Sequence, residues 1–142
     1  MRIKVKYHGE DYIPLEMTER GDWCDLRVAE DTKLKAGEFK IISLGVSMML
    51  PEGYEALVLP RSSTFKHWGI LQTNSCGVID NSYCGDNDIW GFPAYATRDV
   101  FIPKHTRICQ FRIQRKMERL TFATVDHLSS EDRGGFGSSG KE

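Results

Sequence analysis

The chain has 142 residues, room for one compact domain and not two, and at that size about two-thirds of the unfolded surface is buried without disulfides or structural metals. Lysine and arginine total 19 against 20 acidic residues, a formal net charge of −1, which argues against a general nucleic-acid or membrane-surface binder and makes any phosphate contact a local matter. No run approaches the roughly 18 consecutive apolar residues of a membrane span, and Met1-Arg2-Ile3-Lys4-Val5-Lys6 alternates charge with bulk where a signal peptide is apolar. The expectation is a cytoplasmic protein.

The dominant period along the chain is two. Ile3, Val5 and Tyr7 face one way and Arg2, Lys4 and Lys6 the other, the pattern of a half-buried strand. Cys24, Cys76, Cys84 and Cys109 contain no C-x-x-C pair, so they read as reduced thiols rather than zinc ligands. Ile42, Leu44, Val46, Met48 and Leu50 alternate along a second strand, closed by the turn Pro51-Glu52-Gly53, and Tyr54 to Leu59 reads as its return partner. In Ser62-Ser63-Thr64-Phe65-Lys66-His67-Trp68-Gly69 the hydroxyls can cap a helix start and the glycine can end it, predicting one short helix. With Arg61 before it, that start is either an anion site or an ordinary capped connector.

Further strands are predicted at Val78-Ile79, Ile89 to Ala96, Val100 to Ile102, Arg107 to Ile113 and Leu120 to Val125, punctuated by Gly, Pro, Asn or Asp. Many short strands with frequent turns indicate an all-β barrel or a jelly-roll-like sandwich over residues 1–128. Composition then changes. Residues 129–142 hold Gly134, Gly135, Gly137, Gly140 and four serines, too little apolar surface to fold unaided. Arg133 can fork a phosphate and Phe136 can stack on a planar ligand, so the segment is either a flexible tail or a lid.

Five segments, Asp25-Leu26-Arg27, Pro60-Arg61-Ser62-Ser63, Gly77-Val78-Ile79-Asp80-Asn81-Ser82-Tyr83-Cys84-Gly85-Asp86, Arg107-Ile108-Cys109-Gln110 and Gly134-Gly135-Phe136-Gly137-Ser138-Ser139-Gly140, carry a family resemblance. In order they resemble the five motifs of the trimeric dUTP pyrophosphatases (dUTPases), in the style of Gram-positive bacteria and their phages, with Arg133 two residues nearer the glycines than is usual. Together they are far more specific than any one alone.

The resemblance implies a jelly-roll (β-clip) subunit in a homotrimer, with active sites at subunit interfaces, hydrolysing dUTP to dUMP and pyrophosphate. It implies Mg²⁺ held mostly by the triphosphate, with Asp25 reaching it through water. Asp80 becomes the base that holds the attacking water; Arg61 and Ser62 hold the phosphate chain, with Ser63 beside them, and Gln110 orients the α-phosphate region. Gly77, Val78, Ile79 and Asn74 contact uracil, and Tyr83 packs on deoxyribose. Arg133, Phe136, Gly137 and Ser138 close over the nucleotide. The expected role is to keep uracil out of DNA and supply dUMP for dTMP synthesis, without direct nucleic-acid binding or a membrane. Two alternatives stay open: a dCTP deaminase of similar fold, and a phage-type switch that binds dUTP and a repressor protein.

Overall fold

A computed structural model describes residues 1–137 and 140. The described residues form eleven strands and one helix. In chain order these are β1 (Lys4–Tyr7), β2 (Cys24–Arg27), β3 (Thr32–Leu34), β4 (Phe39–Ser43), β5 (Val46–Met49), β6 (Tyr54–Pro60), α1 (Thr64–Trp68), β7 (Ile70–Gln72), β8 (Gly77–Ile79), β9 (Gly91–Ala96), β10 (Val100–Ile102) and β11 (Arg107–Arg115). The all-β class with one short helix is therefore as expected.

Period-two alternation becomes layering. A four-stranded sheet β2-β11-β6-β8 and a three-stranded sheet β4-β9-β7 turn apolar faces to a shared core, with the pairs β1-β5 and β3-β10 beside them. Leu26, Ala56, Val58, Ile108 and Cys109 come from the first sheet, Ile42, Phe92 and Ala94 from the second, and all are buried. Trp90 enters just before β9 and meets Phe111 of β11 edge to face, with ring centroids 5.3 Å apart. Each such large side chain contributes about 1.5–3 kcal/mol by leaving water. The sheets do not join into a continuous barrel; the architecture is an open jelly roll.

Four sequence expectations are corrected by these pairings. The run Ile42 to Leu50 is two strands, broken at Gly45 (φ 68), where an added Cβ would stand 3.0 Å from the Ala29 Cβ. Both halves still bury the same alternating side chains, which is why the period ran through the break. Tyr54 to Leu59 does not return along that strand: β5 pairs with β1, whereas β6 lies between β11 and β8. Leu120 to Val125 forms no strand: among the described residues no strand pairs with it to complete a ladder, and Leu120, Phe122 and Val125 are exposed. The helix start also differs. Ser63 makes no side-chain capping bond, and the working hydroxyl is that of buried Thr64, while Gly69 ends the helix in the left-handed region as predicted.

Candidate active site

Two clusters of the expected residues form at separate places on the four-stranded sheet. The first is built where β2, β11 and β6 run side by side. Gln110 is opposite both Asp25 and Leu59, so the three strands fix the carboxylate and the carboxamide on one face. Arg61 follows at the end of β6. Its backbone N–H is shared by the Thr64 hydroxyl (3.0 Å) and the Ile108 carbonyl (3.3 Å), and the Thr64 hydroxyl donates to the same carbonyl. This buried clasp locks the chain that carries the guanidinium.

Asp25 then receives two guanidinium groups: Arg61 Nε reaches Oδ1 at 3.2 Å and Arg107 Nη1 reaches Oδ2 at 3.1 Å. All three side chains are partly exposed, so the pairs add little to stability; their effect is orientation. Two guanidiniums against one carboxylate leave a local excess of positive charge. Gln110 donates from Nε2 to the Pro60 carbonyl at 3.1 Å. Ser62 is exposed beside Arg61 and Ser63 is half-buried. Beneath this cluster burial pushes the Cys109 thiol far above its usual range and the Asp25 charge adds to the effect; burial likewise raises Cys24. Both are neutral packing groups.

The second cluster surrounds an open cleft of about 360 Å³ lined by Val78, Ile79, Asp80, Ser82, Tyr83, Ile89, Trp90 and Gly91, with Ile41 at its rim. It exists because β8 and β9, although joined by one turn region, belong to different sheets. The Asp80 carbonyl accepts the Tyr83 N–H at 3.0 Å, closing a tight turn, and the Tyr83 hydroxyl donates to the Ile89 carbonyl at 3.2 Å. Tyr83 therefore forms a wall of the cleft. Gly77 is buried against β6, where a Cβ would stand 3.2 Å from Val58 Cβ. On its other side β8 has no partner strand among the described residues, which leaves backbone groups for a ligand.

Other expected residues are not brought to either cluster. Asn74 is exposed in the turn before β8, at the opposite end of that strand from Asp80. Arg133, Phe136 and Gly137 lie exposed on the segment after β11; Arg133 Nε donates to the Gly134 carbonyl (3.3 Å), and Phe136 has φ 51. Ser138 lies outside the described residues. The two clusters themselves are apart. Gln110 is opposite Leu59 and Ile79 opposite Ala56, on strands two positions apart in the sheet. At roughly 3.3 Å per residue and 4.8 Å per strand, Asp80 stands on the order of 15 Å from Gln110.

A family model described as dUTPase matches residues 18–140. The chain belongs to the dUTPase family. It is 59% identical over 140 residues to an SPbeta prophage-derived deoxyuridine 5'-triphosphate nucleotidohydrolase of Bacillus subtilis, covering 99% of each chain. Its fold is shared with the dUTPase of Staphylococcus bacteriophage 80alpha solved with dUPNHPP, at TM-score 0.81 and 21% identity, covering 99% of both chains. A single-residue variant of the dUTPase from phage phi11 of S. aureus, solved with a structural Mg(II) ion, matches at TM-score 0.76 and 18% identity, over 92% of this chain and 100% of that one.

Two residues in or beside the candidate clusters were not singled out from the sequence. Arg107 opens the fourth motif, and a second arginine two motifs after Arg61 was the available signal. Asn81 follows Asp80 and reads as an ordinary turn residue, yet its side chain reaches a turn nearly thirty residues earlier in the chain.

Proposed function

We propose that the chain hydrolyses dUTP to dUMP and pyrophosphate, in a site assembled from more than one copy. What carries the reading is the cleft: a carboxylate at the mouth of a pocket walled by tyrosine and an unpaired strand edge, in a chain of the dUTPase family. Uracil would enter against Gly77, Val78 and Ile79. Its O4 acceptor and N3 donor suit backbone partners, and cytosine, which reverses that pattern, would leave buried groups unpaired. Asn74 would add a contact from the preceding turn. Deoxyribose would pack on Tyr83.

Asp80 then holds and partly deprotonates a water that attacks the α-phosphorus. The leaving pyrophosphate accumulates charge, and Arg61 and Ser62, with Ser63 adjacent and Gln110 orienting the α-phosphate region, supply fixed positive charge and donors. One chain cannot present Asp80 and Arg61 to the same phosphate chain across the gap between the two clusters. A second copy must bring its Asp25–Arg61–Gln110 cluster to the Asp80 cleft, which supports the homotrimer. Exposed Val78 and Ile41 at the cleft give such a contact an apolar rim. Arg133, Phe136, Gly137 and Ser138 would close over the bound nucleotide as a lid on the domain of residues 1–128.

The donor set fits Mg²⁺ brought by the triphosphate. Both Asp25 oxygens are engaged by guanidinium groups, so the carboxylate is suited to accept hydrogen bonds from metal-bound water rather than to ligate the ion. When bound, the ion would neutralise phosphate charge. The product reading, dUMP for dTMP synthesis and uracil kept from DNA, follows from the reaction, and a cytoplasmic setting agrees with it. No helix among the described residues is long and apolar enough to cross a membrane. A repressor protein as additional partner is a second reading, favoured by the prophage origin of the 59%-identical relative.

The test is turnover of dUTP, dCTP, UTP and dTTP with both pyrophosphate and ammonia followed. Pyrophosphate from dUTP alone is expected. Ammonia from dCTP would make the chain a deaminase, and tight dUTP binding without turnover would make it a switch. Tyr83→Ala is expected to raise the kcat/KM ratio of UTP to dUTP by roughly tenfold, since it opens space for the 2′-hydroxyl. An unchanged ratio would remove Tyr83 from the sugar pocket.

A further inference from the structure

The Asn81 carboxamide is inserted into the turn that joins β5 to β6. Its Nδ2 lies 2.8 Å from the Pro51 carbonyl and 3.0 Å from the Tyr54 carbonyl, with the Leu50 carbonyl at 3.5 Å. An amide nitrogen has two protons, so the two short bonds use both. The receiving turn is itself closed by a Tyr54 N–H to Pro51 carbonyl bond of 3.2 Å with Gly53 at φ 83. It is held a second time from outside, because the Lys116 N–H donates to the Gly53 carbonyl at 2.9 Å just where the chain leaves β11.

The consequence falls on the neighbouring residue. Asp80 and Asn81 share a peptide bond, and the turn they open is otherwise held by the Tyr83 N–H to Asp80 carbonyl bond and, at the far side of Tyr83, by its hydroxyl on the Ile89 carbonyl. We propose that Asn81 is a positioning residue for hydrolysis: by gripping the 50–54 turn it fixes the backbone from which the Asp80 carboxylate is aimed. This rests on the assignment of Asp80 as the group that holds the attacking water. Asparagine suits the place because both contacts are to carbonyl oxygens. Aspartate has the same shape but would set charge against them, and serine keeps one donor.

The experiment measures kcat, KM and the affinity for an imido analogue of dUTP in the parent, Asn81→Ala, Asn81→Ser, Asp80→Asn and the double variant Asp80→Asn/Asn81→Ala, with thermal melting alongside. Asn81→Ala is expected to lower kcat about 10- to 100-fold, the cost of a displaced catalytic group, with analogue affinity within about threefold and Asn81→Ser between it and the parent. In the Asp80→Asn background the same change is expected to cost less than about threefold, because the group it positions is already gone.

Equal losses in both backgrounds, or a loss confined to analogue binding, would make Asn81 merely structural and overturn the proposal. If Asn81→Ala fails to fold, the decision passes to Asn81→Ser and to Asp80→Asn/Asn81→Ser: a serine loss that persists without Asp80, or no loss at all, has the same effect. An active parent whose Asp80→Asn variant retains full turnover removes Asp80 from the chemistry, and a parent that releases no pyrophosphate removes the hydrolytic reading. Either result takes this proposal down with it and is distinguishable from its separate failure.

Discussion

Asp80→Asn is expected to lower kcat by a factor on the order of 10² to 10⁴ while leaving nucleotide affinity near that of the parent. The substitution preserves side-chain shape and hydrogen-bonding reach, and Asp80 sits exposed at the cleft, so no packing is lost. What disappears is the ability to take a proton from the attacking water. Steady-state rates of pyrophosphate release and direct binding of the imido analogue separate the two effects. Turnover within tenfold of the parent would show that another group activates the water.

Deleting residues 129–142 is the second large change, expected to lower kcat/KM by about 10²-fold or more with little effect on the melting temperature. The first half follows if the segment closes over bound nucleotide, since closure completes the charge around the phosphates and excludes water. The second half follows from the fold: among the described residues regular structure ends with β11 at Arg115, and the core is drawn from earlier residues. Normal kinetics in the truncated protein would make the segment an inert tail. A lowered melting temperature would show instead that it is part of the packed assembly.

How far this was legible in the sequence depends on the range of the interaction concerned. Strands whose alternation is bounded by turn residues, such as β1, β10 and β11, could be read locally, because one buried face imposes the period. β2, β3 and β7 could not: three or four residues each, they are strands only because a distant partner strand supplies a ladder. Leu120 to Val125 fails for the opposite reason, having the alternation without the neighbour. At the candidate site, the five motifs supplied residue types and their order as expectations. Their partition into two clusters was not, because the register that opposes Gln110 to Leu59 and Ile79 to Ala56 is a property of pairing between distant segments. Asn81 was hidden likewise, since its acceptors lie 27 to 31 residues earlier in the chain.

In the proposed assembly, the distance between Asp80 and the Arg61 cluster also fixes how damage spreads from copy to copy. A copy defective only at Asp80 would spoil the pocket it owns, and a copy defective only at Arg61 would spoil the pocket of its neighbour. Two dead proteins of these different kinds, mixed in one ring, would thus regenerate working pockets that neither can make alone.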